Sequence, residues 1–212
     1  MRFAITVTDR YLAVFQSLVE RVWTPVKVFT TEVDNRLHHN KAVMEYARRL
    51  NLDVQISRLS DDNLRQLADR GCEVLVVASY RWRIGDWRPH LRYAVNFHPS
   101  PLPEARGPWP LVRAIKEGRK TWGLSCHKLA PGFDEGDVLA QYSFPMDAEE
   151  SQESLDLRCQ LGMRGLAARY IRADPTLGPL GVAFWDALFA RHHVPTLALP
   201  ATPLSARPGV LE

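Results

Sequence analysis

Residues 73–79 read Glu-Val-Leu-Val-Val-Ala-Ser and give the strongest strand signal in the chain. The segment is apolar from Val74 to Ala78, which is typical of a strand buried on both faces of a parallel sheet. Strand and helix patterns alternate before it: strands over Arg2–Thr8, Val26–Thr31 and Leu52–Ser57, and helices over 11–22, 41–50 and 61–70. This alternation predicts an α/β fold with a Rossmann-like, mostly parallel twisted sheet and helices on both faces.

Local signals predict where these first helices begin, end and face the core. We expect Asp9 and either Asp61 or Asp62 to cap helix N-termini, and Gly71 to end the third helix. Helical spacing in the first helix predicts one buried apolar face, formed by Leu12, Phe15, Leu18, Val19 and Val22.

The second half of the chain has a different element order. Its patterns predict a helix over 109–118, strands over 121–130 and 137–144, and a long helix over 150–171. Apolar positions predicted for the long helix are Leu155, Leu161, Leu166 and Tyr170. Six prolines fall within 173–212, where Val182–Arg191 is one short helical candidate. We therefore predict a main domain at 1–172 and a short proline-rich, partly irregular C-terminal extension at 173–212.

Composition is that of an ordinary globular protein. Hydrophobic residues make up 46% of the 212 residues, and the net charge of +3 does not favour wholesale nucleic-acid binding. Cys72, Cys126 and Cys159 lack CxxC spacing, so neither a disulfide framework nor a metal site is expected. No apolar run approaches the roughly 20 residues of a membrane span. The chain opens on a strand pattern rather than a signal peptide, so we expect a cytoplasmic protein without membrane contact.

Phosphate-binding motifs are missing from the places where such a sheet would carry them. The loop after the first strand has no GxGxxG, and no GxxxxGK[ST] occurs anywhere in the sequence. Ligands of doubly wound sheets bind beyond the carboxyl ends of the strands. That rule directs attention to residues 80–85 and 96–107, which follow the two predicted central strands.

A polar pair stands at the start of the second segment. Asn96 and His98 are two residues apart, so on a strand both side chains point to the same face. Prolines at 99, 101 and 103 stiffen the loop that follows. Taken alone, the pair is more simply a set of satisfied buried polar groups. Asp134 lies in a glycine-flanked loop after a strand that contains His127, so a carboxylate is expected in the same pocket.

Four spaced segments together resemble the folate-dependent formyltransferases: Asn96-x-His98-Pro99-Ser100-x-Leu102-Pro103, Arg106-Gly107, Gly123-x-Ser125-x-His127 and Asp134-x-Gly136-Asp137. That family includes glycinamide ribonucleotide transformylase, methionyl-tRNA formyltransferase and sugar N-formyltransferases. The similarity covers about residues 1–172. It implies an enzyme that transfers a formyl group from the co-substrate 10-formyltetrahydrofolate to a primary amine.

The resemblance also implies roles for particular residues. The family's catalytic Asn, His and Asp fall on Asn96, His98 and Asp134. Its folate-binding loop falls on the segment Tyr80, Arg81, Trp82, Arg83 and Ile84, with Asp134 also near the cofactor. Acceptor contacts are expected from the substrate-side positions Ser100, Arg106, Gly107, Trp109 and His127. An amide and an imidazole are suited to stabilising negative charge on a formyl oxygen, and a carboxylate to moving the amine proton.

Several of these positions have a second interpretation. Arg106 suits an acceptor phosphate, or a surface ion pair with Glu104 or a neighbouring residue. His127 either lines the pocket or has a structural role, and Trp109 either stacks on an acceptor ring or belongs to the core. The basic and aromatic run over 81–92 overlaps the folate loop, and nucleic-acid contact is the weaker of its two interpretations.

The function expected is N-formyl transfer to a small or nucleotide-linked amine. The alternatives are a methionyl-tRNA formyltransferase-like enzyme lacking the C-terminal domain of that group, a formyltetrahydrofolate hydrolase and a non-catalytic folate-binding protein. Hydrolases of this kind usually carry an N-terminal regulatory domain, which we do not expect before Met1. The resemblance leaves a homodimer open.

Overall fold

The computed structural model describes residues 1–33 and 39–170. Its centre is one seven-stranded sheet in the order β3-β2-β1-β4-β5-β6-β7. The strands are β1 Arg2–Val7, β2 Thr24–Phe29, β3 Val54–Gln55, β4 Val74–Ala78, β5 Tyr93–His98, β6 Thr121–Lys128 and β7 Val138–Pro145. The first five run parallel, whereas β6 is antiparallel to both β5 and β7.

A short 3₁₀ turn at Asp9–Tyr11 precedes the first helix. The helices are α1 Leu12–Glu20, α2 Lys41–Arg49, α3 Asp61–Asp69, α4 Pro110–Lys116 and α5 Gln152–Tyr170. This arrangement confirms the predicted α/β class and the mostly parallel sheet. The C-terminal extension and the helix predicted at Val182–Arg191 lie outside the described residues.

Alternation along the central strands divides the core between two faces. Val74 and Val76 point into a large apolar cluster with α1, α2, α4 and α5. Leu75 and Val77 point into a second, smaller cluster with α3. The predicted burial of this strand on both faces is therefore confirmed, and all five of its residues are buried.

Two expectations about the first helix are wrong. Asp9 does not cap α1; its carboxylate accepts hydrogen bonds from the backbone N–H groups of Ala42 (3.1 Å) and Val43 (2.8 Å) in the first turn of α2. Val22 lies beyond the helix at a positive φ of 67° and is 87% exposed. Trp23, the next residue, is buried in its place. The loop after β1 is thus fastened to a helix remote in sequence.

Three further boundaries differ from prediction. Ser60, rather than Asp61 or Asp62, caps α3 through a reciprocal capping box with Asn63. Strand β3 is only two residues long, because it pairs with β2 alone at the sheet edge. Leu161 is 56% exposed on α5, whereas Leu155 and Leu166 are buried as predicted. No helix among the described residues is long and apolar enough to cross a bilayer.

Candidate active site

The carboxyl ends of β4 and β5 open onto a cavity of about 490 Å³, a size typical of small-molecule sites. Asn96 and His98 line it together, as their spacing on β5 predicts. Asp134 reaches the same cavity from the loop between β6 and β7. The three predicted catalytic side chains are therefore brought together by the fold.

Asp134 is the centre of the polar network. Its Oδ1 accepts a hydrogen bond from the Asn96 amide at 2.9 Å, and its Oδ2 accepts one from the backbone N–H of Gly107, also at 2.9 Å. His98 Nδ1 lies 3.4 Å from Oδ2, and His127 Nε2 lies 3.3 Å from Oδ1. The carboxylate is 9% exposed, so these contacts largely replace water around its charge.

The backbone decides which nitrogen of His98 carries its proton. Nε2 lies 3.0 Å from the carbonyl oxygen of Ala105, which can only accept, so Nε2 must donate. In the neutral ring, Nδ1 is then a lone pair beside the Asp134 carboxylate. His98 can offer an N–H to the cavity only after Nδ1 has taken a proton.

Both N–H bonds of Asn96 have acceptors. The amide nitrogen lies 2.9 Å from Asp134 Oδ1 and 3.0 Å from His127 Nε2. The opposite amide orientation would place a carbonyl oxygen against the carboxylate, so the network itself assigns this one. His127 Nδ1 donates to the carbonyl of Lys128 at 2.8 Å, which leaves Nε2 free to accept from Asn96 in the neutral ring. To donate a hydrogen bond to an oxyanion, Asn96 must give up its hydrogen bond to either Asp134 or His127.

Burial and the neighbouring polar groups shift the pKa of His98, and likewise that of Asp134, in opposite directions. The pKa of His98 is lowered, because burial disfavours the imidazolium more than Asp134 and the Ala105 carbonyl favour it. Burial alone raises the pKa of Asp134, but contacts with His127, His98 and the Gly107 N–H outweigh it, and the net shift is downward. The resting site thus favours a neutral imidazole beside an ionised carboxylate.

Residues 99–109, here called the proline loop, are held by buried hydrogen bonds. The Ser125 hydroxyl donates to the carbonyl of Ser100 at 2.7 Å and accepts from the N–H of Leu102 at 3.0 Å. Gln141 stands opposite Ser125 across the β6–β7 ladder and donates to it at 3.1 Å and also to the Leu102 carbonyl. The Trp122 indole N–H donates to the Pro99 carbonyl at 3.0 Å. These bonds fix the backbone that positions the Ala105 carbonyl and the Gly107 N–H.

Residues 79–85, here called the arginine loop, border the cavity on the β4 side. The Arg83 guanidinium donates to the carbonyl of Pro131 through both Nε (2.7 Å) and Nη2, tying this loop to the one that carries Asp134. The Tyr80 hydroxyl accepts from the N–H of Leu59 at 2.6 Å. Tyr80, Arg81, Arg83 and Ile84 line the cavity. Trp82 is not among the lining residues; its ring packs edge-on against Tyr80 at 5.2 Å.

The predicted acceptor residues divide into two groups. Gly107 and Trp109 line the cavity, and Trp109 is 59% exposed rather than part of the core. The other three, Ser100, Arg106 and His127, are not lining residues. The Ser100 hydroxyl is buried and donates to the Glu104 carbonyl at 2.7 Å. Glu104 pairs with Arg119 at 2.9 Å, and among the described residues it has no ion pair with Arg106.

Sequence reasoning missed three contributors. Ser125 was inside a quoted segment, but only the cross-strand register reveals that it and Gln141 clamp the proline loop. Phe133, next to Asp134, lines the cavity with 58% of its surface exposed. Because Phe133 lies in a turn-rich segment, the sequence indicated only a connecting loop there and gave no sign of contact with the cavity. Among the described residues, no cluster of His, Cys, Asp or Glu has the arrangement of a metal site, and all three cysteines are free and buried.

The class of protein is given by a family model that matches most of the chain. Residues 13–163, more than half of the chain, match the family model described as formyl transferase. The chain belongs to the formyl transferase family.

Curated relatives of this chain are longer than it is. It is 29% identical over 135 residues to the methionyl-tRNA formyltransferase of Coprothermobacter proteolyticus, a match covering 59% of this chain and 44% of that protein. A second such enzyme, from Lactobacillus johnsonii, is 30% identical over 155 residues, covering 67% of this chain and 48% of the relative. The chain spans about half the length of these relatives or less.

A solved structure with a different acceptor has the same fold. Phosphoribosylglycinamide formyltransferase from Bacillus halodurans superposes with a TM-score of 0.68 at 21% identity, covering 85% of this chain and all of that one. At such identity the likeness establishes the fold alone. The relatives therefore agree on the formyl transferase family and differ in the acceptor that their names state.

Proposed function

We propose that this protein transfers a formyl group from 10-formyltetrahydrofolate to the primary amine of a small or nucleotide-linked acceptor. The observation that carries the proposal is the pair of His98 Nδ1 and Asp134 Oδ2, 3.4 Å apart in a cavity, with the far nitrogen of His98 already committed to a backbone carbonyl. Such a pair can take up one proton and give it back, which is what formyl transfer between two nitrogens needs.

The bond changes define the work of the site. The acceptor nitrogen forms a bond to the formyl carbon, the bond from that carbon to the folate nitrogen breaks, and one proton passes from the first nitrogen to the second. His98 and Asp134 accept the proton from the attacking nitrogen and return it to the leaving one. Protonation turns His98 Nδ1 into a donor, so the same step supplies an N–H for the charge that develops on the formyl oxygen.

Asn96 has the second role in this scheme. Its amide lies in the cavity wall beside the carboxylate, and one N–H must leave either Asp134 or His127 to meet the formyl oxygen. When the shared proton lies on Asp134 rather than on His98 Nδ1, Oδ1 of Asp134 becomes a weaker acceptor for Asn96. Proton uptake and release of the amide are then coupled through one carboxylate.

The cavity walls fit the proposed donor. Apolar side chains such as Val77, Ile84 and Leu129 offer a dry surface to a flat ring, and Arg81 and Arg83 at the same wall suit carboxylates. Trp109 and Phe133 are the exposed aromatic residues of the lining and suit contact with a planar group on the acceptor or donor.

The acceptor is tested directly. Purified protein is incubated with 10-formyltetrahydrofolate while tetrahydrofolate release is followed, without amine and then with methionyl-tRNA, glycinamide ribonucleotide or a dTDP-linked 3-amino sugar. We expect release that depends on one of the two nucleotide-linked small amines. Equal release without amine would identify a hydrolase, release with methionyl-tRNA alone would identify a tRNA enzyme, and binding without release would identify a non-catalytic protein.

Variants connect the activity with the site. His98→Ala and Asp134→Ala should abolish transfer with the fold retained, as judged by far-ultraviolet circular dichroism. Asp137→Ala is the matched control, because its carboxylate lies three residues from Asp134 but is half exposed and pairs with Lys128 at 3.0 Å. Turnover near that of the wild type in either site variant would overturn the assignment.

A further inference from the structure

The outer face of α5 carries apolar side chains that no described element covers. Leu157 and Leu161 are 57% and 56% exposed, whereas Leu155 and Leu166, on the opposite side of the same helix, are buried. Residues four apart lie on one side of a helix, so the two exposed leucines are neighbours. Single exposed leucines are ordinary on protein surfaces, but a pair at helical spacing forms a face that can pack against another element.

Gly165 extends this face toward the C-terminal end of α5. It lies four residues after Leu161, and a Cβ built on it would meet no atom within 4 Å. Glycine weakens the interior of a helix, and at this exposed position it leaves a notch with room for a large side chain. Leu157, Leu161 and Gly165 are here called the α5 strip.

One segment of the chain has a sequence that suits the α5 strip. Val182–Arg191 lies outside the described residues, and its pattern predicts a short helix. At helical spacing, the alanines, Asp186 and Arg191 share one side, and the large apolar residues share the other: Val182, Phe184, Trp185, Leu188 and Phe189. A helix of about ten residues is marginal in water by itself. The predicted helix therefore needs an apolar surface to pack against.

The connection between α5 and this segment is long enough for the segment to return. Residues 171–181 separate Tyr170, the end of α5, from Val182, and an extended chain of that length spans up to about 36 Å. Leu157 lies about 20 Å before Tyr170 along the helix. A short tether also gives the segment an effective concentration in the millimolar range. This concentration favours the segment over a second copy of the chain.

Charge favours one direction of packing. Glu153, in the first turn of α5, is exposed and has no ion pair among the described residues. Arg164, beside the other end of the α5 strip, pairs with Glu20 of α1 at 3.4 Å. A segment that runs antiparallel to α5 brings Arg191 to the Glu153 end, whereas a parallel segment brings it toward Arg164, a like charge.

We propose that Val182–Arg191 docks antiparallel on the α5 strip, with its aromatic side turned toward the helix. The proposal does not depend on the identity of the formyl donor or acceptor. It bears on the cavity because α5 contributes to the cavity wall: Gln152 lines the cavity, and Asp156 pairs with the lining residue Arg10. A docked segment stabilises the helix that holds this wall.

Paramagnetic broadening in nuclear magnetic resonance spectra tests the docking on the full chain. A nitroxide is attached at Ala187→Cys, on the side of the segment opposite its aromatic residues, while the native cysteines are buried. We expect the amide signals of Leu161 and Gly165 to broaden. The signal of Leu64 should stay sharp, because α3 packs on the opposite face of the sheet. Unchanged signals along the α5 strip, or broadening at the cavity residue Gly107 instead, would overturn the docking.

A mixed sample separates docking within one chain from docking between chains. Isotope-labelled protein without the nitroxide is combined with unlabelled protein that carries it. We expect no broadening of the α5 strip in this mixture. Broadening there would assign the strip to a second copy of the chain and would overturn the proposal.

Thermal unfolding gives an independent measure of the same contact. Leu157→Gln/Leu161→Gln and Trp185→Ala/Phe189→Ala should each lower Tm by about 4–8 °C. The combined variant should lose little more than either pair alone, because both pairs remove one shared contact. Additive losses, or an unchanged Tm in Leu157→Gln/Leu161→Gln, would contradict the docking.

The matched control replaces exposed apolar residues elsewhere. Met44 of α2 is 39% exposed, and Ile56, which follows the edge strand β3, is 41% exposed. Met44→Gln/Ile56→Gln should change Tm by no more than about 2 °C, as expected for surface substitutions. A loss in this control equal to that in Leu157→Gln/Leu161→Gln would show that the α5 strip is an ordinary surface and would overturn the proposal.

Discussion

The proline loop and the arginine loop border the same cavity but are held in opposite ways. The proline loop is fixed from within, by the buried hydroxyl of Ser125 and by the Asp134 carboxylate. The arginine loop has exposed guanidinium groups and is fastened to Pro131 by Arg83. The difference separates two tasks: groups that move a proton need a rigid frame, whereas exposed guanidinium groups at the cavity edge can meet the charge of an arriving ligand.

The largest effect is expected for Asp134→Asn. This substitution keeps the shape of the side chain but removes the negative charge at the centre of the network that the proline loop holds in place. We expect transfer to fall by about 10²–10³ or more, since both the proton acceptor and the partner of His98 are lost. The measurement is kcat with saturating donor and acceptor. Asp137→Asn should stay within about twofold of the wild type, as expected for a surface ion pair. An equal loss of kcat in Asp134→Asn and Asp137→Asn would contradict a specific catalytic role of Asp134.

Ser125→Ala tests whether the proline loop needs its internal clamp. It leaves the Leu102 N–H and the Ser100 carbonyl without their hydroxyl partner in a buried place. We expect a loss of about 1–3 kcal/mol in the free energy of unfolding, measured by denaturant titration. A fall in kcat larger than the rise in donor KM should accompany it. Ser143→Ala, on an exposed position of the same hairpin, should change stability by no more than about 0.5 kcal/mol.

Arg83→Met tests the fastening of the arginine loop. The variant keeps much of the aliphatic stem but loses the bond to the Pro131 carbonyl. We expect the donor KM to rise about threefold to tenfold, since one charged hydrogen bond at an exposed site is lost, with a smaller change in kcat. Arg88→Met is the comparison variant, because Arg88 is exposed and its guanidinium contacts Asp86 and the Trp87 ring, not the Pro131 carbonyl. A dominant loss of kcat in Arg83→Met would show that the two loops do not divide their tasks.

The smallest expected effect is a shift in the titration of His98. Its pKa lies below the ordinary 6.5 because of burial, while Asp134 acts in the opposite direction. A nuclear magnetic resonance titration should therefore place the midpoint below 6.5 in the wild type and lower still in Asp134→Asn. Because unfolded His98 binds its proton at higher pH than the folded residue, acidification from about pH 6.5 down through the pKa of the folded residue lowers stability. An upward shift in Asp134→Asn would contradict the inferred charge on the carboxylate.

Much of the fold could be predicted from hydrophobic periodicity. The wrong predictions share one cause: they concern residues whose partners are remote in sequence. The run at 73–79 predicted a strand buried on both faces because its pattern is intrinsic to the segment. Asp9 was misassigned because a short acidic side chain before a helix resembles an N-cap, yet its partners are in α2, more than thirty residues away. Leu161 was misassigned because α5 carries leucines on more than one side, and only the neighbouring elements decide which side is covered.

The sequence predicted which residues form the candidate site, but not the hydrogen bonds between them. Two-residue spacing placed Asn96 and His98 on one face, and the structure brings Asp134 to them. The roles of these three as catalytic groups stay predictions until assayed. The partner of each nitrogen could not be foreseen, because it depends on the path of the proline loop and on the register that sets Ser125 opposite Gln141.

Trp109 lines the cavity in a backbone conformation that is unfavourable for tryptophan. It precedes α4 with a φ of 66°, in the left-handed region that glycine adopts most easily, and the residue is 59% exposed to solvent. A left-handed residue other than glycine costs on the order of 1 kcal/mol. A ligand that packs against this ring would cover apolar surface that the free protein leaves in water, so part of the cost of placing tryptophan here would be returned as binding free energy.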